Sequence, residues 1–270
     1  MAGKIIRTAL LCGLLALVGC SSDSDEGLFD DGLLSVGPGG DFVSIQAAVD
    51  AAPGGATITV GPGTYTERVV IDKSLTLIGA GAASKIELGG SGQPDPDDTG
   101  AGIDSALEVR DTVGVIVRGF TVRGPADGVR VQDSSDVVLQ EIVASDNGDE
   151  GVDIRGSSEV EVSGIFESNG DEGVQIREGS QGVVVHASTM RLNAQDGVKI
   201  RDSTNCIVRD NVVRENSDDG VLVRNSGGVE VLNNEIAGNI GFGLRIGNSP
   251  DIVFEDNTIQ NNVAGDIEID

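Results

Sequence analysis

Apolar and polar positions alternate in short runs along most of this chain, and a glycine punctuates them at a nearly constant step. Gly128, Gly151, Gly173, Gly197, Gly220 and Gly243 lie 23, 22, 24, 23 and 23 residues apart. Each opens an alternating pair: Val129 and Val131, Val152 and Ile154, Val174 and Ile176, Val198 and Ile200, Val221 and Val223, Leu244 and Ile246. Period two places such pairs on one face of a strand. A second alternating run follows in each unit: Val137 and Leu139, Val160 and Val162, Val183 and Val185, Ile207 with its neighbours, Val229 and Val231, Ile252 and Phe254. A third, shorter apolar step falls at Ile142, Ile165, Met190, Val213, Ile236 and Ile259. Three short strands in about 23 residues make one turn of a triangular coil. Stacked coils pair each strand with its equivalents about 4.8 Å above and below. The pattern predicts an all-β fold, a single-stranded right-handed parallel β-helix of eight or nine coils.

Asparagines repeat with the glycines. Asn147, Asn169, Asn193, Asn216, Asn239 and Asn261 are read as one stacked ladder, and Asn211, Asn234 and Asn257 as a second. A stacked amide bonds its neighbours and tolerates the left-handed turn. Their role is structural. Aromatics make up 3% of the chain, with no Trp and only Tyr65 as tyrosine. The interior is therefore expected to be columns of Val, Ile and Leu.

The first 19 residues read as an address. Lys4 and Arg7 precede an apolar run from Ala9 to Val18, which ends in Leu17-Val18-Gly19-Cys20. This is signal-peptide architecture, and the tetrapeptide resembles a bacterial lipobox with Cys20 as the lipidated residue. Ser21 follows, and by resemblance to sorting in double-membrane bacteria it implies the outer membrane of the cell envelope. Residues 20–36 read as a flexible acidic tether and residues 37–270 as the β-helix domain. Net charge is −26, and loss of residues 1–19, which carry two basic side chains and no acidic one, deepens it to −28. Such a surface repels nucleic acid and anionic lipid. Cys206 would be the one cysteine left besides Cys20, so no intrachain disulfide is expected, and it reads as a small buried hydrophobe.

Residues 37–81 carry a helical face of Ile45, Ala48, Val49 and Ala52 behind a capping Ser44, stopped by Pro53-Gly54-Gly55. With the following strands this segment resembles the opening of pectin-lyase-like β-helix proteins, including pectin methylesterases and NosD-type periplasmic proteins. The resemblance implies a short helix plugging the end of the coil. Gly63-Thr64-Tyr65-Thr66-Glu67 matches a motif shared by such esterases and inactive relatives, and Glu67 and Arg68 are expected to tie down the cap. The catalytic strings of the esterases and the Asp-Pro-His-Asp string of alginate epimerases have no counterpart. Gln132-Asp133 falls in a repeat corner. His186 alternates outward with no aspartate partner in view. Copper, which the NosD resemblance suggests, would have only His186 and Met190.

Acids form columns of their own. Asp127, Glu150, Glu172, Asp196 and Asp219 immediately precede repeat glycines, and Asp149, Asp171 and Asp218 stand beside them. Carboxylates stacked at this spacing repel by roughly 1 kcal/mol per neighbour in water and several times that near a protein surface. Water and salt, basic neighbours or Ca2+ must offset that. No cofactor is required by the pattern, but Ca2+ at these corners is one open reading. Asp95 and Asp97 offer a second Ca2+ hint: with Gly100 they match the start of an EF-type loop, in the one long insertion, residues 89–104. A basic column of Arg155, Arg177, Arg201 and Arg224 is a candidate ligand strip, too far along the strand to pair with the corner acids. Glu178 and Asp202 are its closer partners.

Two readings of function stand. One is a lipid-anchored, non-catalytic β-helix, held to the membrane through Cys20, that binds a polysaccharide or an envelope protein or serves as a rod. The other is a polysaccharide-active enzyme of lyase, epimerase or esterase type. The absent strings and scarce aromatics fit the first better. Asp266, Glu268 and Asp270 on the final strand discourage edge pairing, so a monomer is expected.

Overall fold

A computed structural model describes residues 33–89 and 105–270 of the chain. Cys20, Asp95 and Asp97 lie outside the described residues. The alternating runs become two parallel sheets that wind together as coils. One sheet has sixteen strands and the other nine. The larger climbs through ten rungs, from Leu33–Val36 to Val253–Glu255, more than the eight or nine expected. The smaller runs from Val69–Ile71 to Gly265–Ile269. In register, Val129, Val152, Val174, Val198, Val221 and Leu244 stack as one interior column, with Val131, Ile154, Ile176, Ile200, Val223 and Ile246 beside them. All are buried.

Three strands, Val113–Arg123, Ser135–Ser145 and Ser158–Glu167, bend through two walls of the coil. Later coils split that element into two three-residue strands. Ala187, Asp210, Asn233 and Asp256 sit between the halves with positive φ. A left-handed residue turns the corner without a loop, which explains why short polar residues dominate there.

Several sequence expectations shift by one position. Residues 33–36, assigned to the tether, form the first rung: Leu34 and Val36 are buried and the strand pairs with Ala56–Val60. Ile165 is 40% exposed, while Phe166 fills the core, because Gly164 pairs with Ile142 through a register shift. Ile207 points outward, and Cys206 and Val208 occupy the interior. Burial pushes the Cys206 thiol up to about 11, so it behaves as a hydrophobe. The sixth ladder residue is Asn262, not Asn261. Asn261 has φ +59 and matches Asp146, Ser168, Leu192 and Glu215, the left-handed residues that precede each ladder amide.

The ladder is continuous. Asn169 Nδ2 donates to Asn193 Oδ1 at 2.9 Å, and Asn193 and Asn216 pass the contact down to Asn239 and Asn262 at 3.0, 3.0 and 2.9 Å. Each Oδ1 also accepts the backbone N–H of the amide above, and the Nδ2 of Asn169, Asn193 and Asn216 reaches a strand carbonyl. Asn211, Asn234 and Asn257 form the second ladder as expected. A third, of serines, was missed: the hydroxyls of Ser134, Ser157, Ser180, Ser226 and Ser249 accept N–H groups from the coil above. The signal was in the sequence, since Ser134, Ser157, Ser180, Ser203, Ser226 and Ser249 recur every 23 residues.

The glycine column is steric in origin. A Cβ on Gly197 would lie 2.3 Å from Val213 Cγ1, 2.7 Å from the Gly220 carbonyl and 2.8 Å from Asn216 Nδ2. The amide ladder and the glycines are thus one device: the amide needs the space that only glycine leaves.

The helix Ile45–Ala51 closes one end, capped by Ser44, whose side chain accepts from Ala47 N. Glu67 accepts from Ser44 Oγ at 2.7 Å, Ile45 N at 2.8 Å and Gln46 N at 3.0 Å, so the Thr66-Glu67 motif serves the cap. Arg68 instead ties the next coil through Glu108. Among the described residues no helix is long and apolar enough to cross a membrane.

Asn193→Ala removes one amide from a buried run and leaves the Asn169 donors and the Phe166 carbonyl unserved. The expected loss is on the order of 3 kcal/mol in urea unfolding, against less than about 0.5 kcal/mol for the exposed Gln260→Ala. Equal losses at both positions would refute a structural ladder.

Candidate functional site

The nine-stranded sheet gathers the chain's buried charge. Its strands put valines and isoleucines inward, so the intervening residues point outward: Glu108, Arg130, Asp153, Gln175, Lys199, Leu222, Arg245 and Glu268 form one column in register. Beside it stand the corner acids that precede the glycines. Asp127, Glu150, Glu172, Asp196 and Asp219 are all buried, whereas Asp149 and Asp171 are half-exposed and Asp218 is exposed.

The middle of this face is an ion-pair network. Asp153 is fully buried and is shared by three guanidiniums: Arg155 contacts it directly, Arg177 Nε lies at 3.1 Å and Arg130 Nε at 3.7 Å. Arg130 also reaches Asp127 Oδ2 at 2.7 Å. Lys199 Nζ sits 2.5 Å from Glu172 and 3.8 Å from Asp196, and Gln175 Nε2 donates to Glu172 at 2.9 Å. Buried charges of this kind persist only when paired.

The basic column therefore divides. Arg155 and Arg177, expected as part of an outward ligand strip, are buried against Asp153. Arg201 and Arg224 are exposed, and Arg201 pairs with Asp202 at 3.4 Å. The strand residues that do reach the corner acids belong to the middle column, which the sequence reading did not single out. Arg130 is three residues from Asp127, and glycine at the intervening corner leaves the way open.

The acidic readings converge in three clusters. Asp127, Asp149 and Glu150 form one; Glu150, Asp171 and Glu172 a second; Asp196, Asp218 and Asp219 a third. Within each, one carboxylate oxygen per residue lies within 4.8 Å of the others. Burial pushes Glu150 up to about 10, with help from the charges of Asp127 and Asp153. Burial raises Asp127 too, but Arg130 opposes the shift there, so a proton shared by the pair belongs on Glu150. Burial carries Asp196 to about 7, partly offset by Lys199. Asp219 is raised by burial, opposed chiefly by Phe242 N, which donates to its Oδ1 at 2.6 Å. Lys199 stays charged because Glu172 outweighs the burial that would neutralise it.

His186 lies on the other sheet, half-exposed beside Arg209. Gln132 and Asp133 bond each other at a left-handed corner. Gln132 stands in register with Arg110 and Arg155 on the nine-stranded sheet, while His186 lies off it.

The family described as right handed beta helix region matches residues 105–259. No curated protein matches the chain. Among solved structures, it is similar to the A-module of the mannuronan C-5 epimerase AlgE4 of Azotobacter vinelandii, at 17% identity and TM-score 0.50 over 83% of this chain and 90% of that one. The periplasmic alginate epimerase AlgG matches at 15% and 0.52 over 80% of this chain and 60% of its own length. Pectate lyase Pel9A matches at 15% and 0.53, over 81% and 74%. At such identities the likeness shows the fold alone.

The raised carboxyls set a pH dependence with a definite sign. Glu150 and Asp196 bind protons in the folded state that the unfolded chain has released above about pH 4.5. Their stabilisation is full below that range and is lost as pH rises, through about 7 for Asp196 and about 10 for Glu150. In chelator-containing buffer the unfolding free energy read from urea titrations should fall steadily from pH 5 to pH 8, by at most ~1.4 kcal/mol per pH unit per group, and the urea midpoint with it. Asp196→Asn should flatten the decline below pH 7. A midpoint that rises with pH would contradict the assignment.

Proposed function

The chain belongs to the right-handed β-helix family, and on that footing we propose that it is a non-catalytic, lipid-anchored protein of the bacterial cell envelope that binds a protein partner through the larger sheet. Cys20 is the anchor, the outer membrane its place, and the free protein a monomer. One observation carries the binding reading. On successive rungs of the larger sheet the outward column reads Ile116, Val138, Glu161, Val184, Ile207, Glu230, Val253. Ile116 and Val253 are each 41% exposed, and Val138, Val184 and Ile207 are half-exposed. This is a flat aliphatic stripe along the coil, broken only by two glutamates. A stripe that long on a chain with net charge −26 is a contact surface. Few aromatic faces are present to stack on sugar rings, which favours protein over glycan.

The charged sheet supports the non-catalytic part. Arg130, Arg155 and Arg177 are held by Asp127 and Asp153, Lys199 by Glu172 and Asp196, and Asp153, the most central carboxylate, is shared by three guanidiniums. A general base must be free to take a proton.

A second reading, a polysaccharide-active enzyme, draws on a different observation. Glu150 and Asp196 are raised carboxyls on one face, and perturbed acids gather at functional sites. The structural neighbours named as an alginate epimerase and a pectate lyase make a uronate polymer the substrate class for that reading.

A photo-crosslinking residue placed at Ile207 in the membrane-bound protein should give one defined adduct in cells, and the same residue at Arg224 none. The triple variant I116E/V184E/I207E should lose the adduct about tenfold or more with unchanged circular dichroism, and mass spectrometry should find acylated Cys20 at the mature N-terminus. Turnover of polygalacturonate or alginate that disappears in Glu150→Gln would replace this reading with the second.

A further inference from the structure

The aliphatic stripe of the larger sheet has a period of its own. Two aliphatic residues are followed by a glutamate, and the pattern repeats: Ile116, Val138, Glu161, then Val184, Ile207, Glu230, then Val253. Glu161 and Glu230 therefore stand three rungs apart, about 14 Å at the spacing of paired strands. Among the described residues neither carboxylate has an ion pair or a hydrogen-bond partner. A carboxylate inside an aliphatic contact surface is costly to cover unless the partner brings the opposite charge.

The surroundings of Glu161 say what that partner brings. Asp136, Val138, Glu159, Glu161, Gly182 and Val184 line a recess of about 240 Å3. Its side walls are aliphatic, and its polar side chains are all carboxylates. Gly182 keeps the recess open, since a Cβ there would lie 2.5 Å from Glu159 Oε1. An aliphatic stem that ends in an ammonium or guanidinium fits such a slot. The protein's own bases stand on the opposite flank. Arg118 and His186 lie two residues beyond the stripe on their strands, Asp136 and Glu159 two residues before it. Arg209, next to His186 in register, pairs with Asp210 at 2.8 Å.

The face also selects the backbone of its occupant. It presents side chains rather than a strand edge, so an extended segment laid on it would find no partners for its N–H and C=O groups. A helix satisfies its own. The six rung steps from Ile116 to Val253, about 29 Å, match a helix of about 19 residues. Side chains about eleven residues apart share one helical face and lie about 16 Å apart, close enough to the glutamate spacing for a flexible stem to bridge the difference. We propose that the stripe receives an amphipathic α-helix of a partner protein, laid along the coil axis, with two lysines or arginines about three turns apart seated on Glu161 and Glu230. This rests on the reading that the stripe binds a protein, and names the chemistry of what it binds.

The probe is a labelled synthetic helix of about 20 residues, with leucines along one face and two lysines about eleven positions apart on that face. Titrated with the full chain and followed by fluorescence anisotropy, it should bind about tenfold or more tightly than the same helix with glutamates in place of the lysines. E161K/E230K, with unchanged circular dichroism, should reverse that order, and I116E/V184E/I207E should bind neither helix. Equal affinity for the two helices, no reversal in E161K/E230K, or full binding by the triple variant would each overturn the proposal. The Ile207 photo-adduct in cells separates this failure from failure of the binding reading. The adduct should fall about tenfold in E161K/E230K. An adduct that persists there overturns the cationic helix and leaves the binding reading standing, whereas no adduct in the unaltered protein overturns both.

Discussion

In a parallel coil every residue lies about 4.8 Å from its own equivalent in the next turn, and the rest of this molecule follows from that constraint. Like stacks on like, so a column is stable only if its residue tolerates a copy of itself above and below. Valine and isoleucine do so by packing. Asparagine does so because it carries a donor and an acceptor that match its neighbour's. Glycine is required beside the amide because a Cβ would meet Asn216 Nδ2 and the Gly220 carbonyl at once.

Charge tolerates a copy of itself poorly, and the nine-stranded sheet solves this by alternation. Down its outward column an acid at Glu108 meets Arg130, which meets Asp153. Farther on, Gln175 and Lys199 follow. The corner acids have no such alternation, for Asp127, Glu150, Glu172, Asp196 and Asp219 are acidic throughout. They survive burial by three routes: an arginine on Asp127, a lysine across Glu172 and Asp196, and protons held by raised carboxyls. Charge neutralised in this way can be buried within a coil. The larger sheet instead carries the aliphatic stripe of Ile116, Val138, Val184, Ile207 and Val253, broken by Glu161 and Glu230.

The fold was legible because its signal is repeated. Six glycines and six amides at one step leave little freedom in the coil, and the capping helix announced itself through Ser44 and its apolar face. The misplacements arose where the local pattern was degenerate. Asn261 and Asn262 are adjacent asparagines, and only the left-handed φ of Asn261 separates them. Ile165 and Phe166 are both apolar, and the register shift at Gly164 decides between them. Leu33 to Val36 alternates too briefly to stand out from an acidic segment. The charged face was half legible. The columns were visible, but pairing across coils, as between Arg177 and Asp153, depends on the stacking register and on which guanidinium folds back. No single-strand spacing carries that information.

Burial of the nine-stranded sheet's central charges requires that they be closed on one another. A double-mutant cycle between Asp153 and Arg177, which lie on consecutive coils, measures this directly. Asp153→Asn, Arg177→Gln and the double variant, unfolded in urea at pH 7, should show a coupling of about 1–3 kcal/mol, with the double variant more stable than the sum of single losses implies. Strictly additive losses would mean that the two groups do not pair in solution, and would leave Asp153 and Arg177 free for the chemistry denied them here.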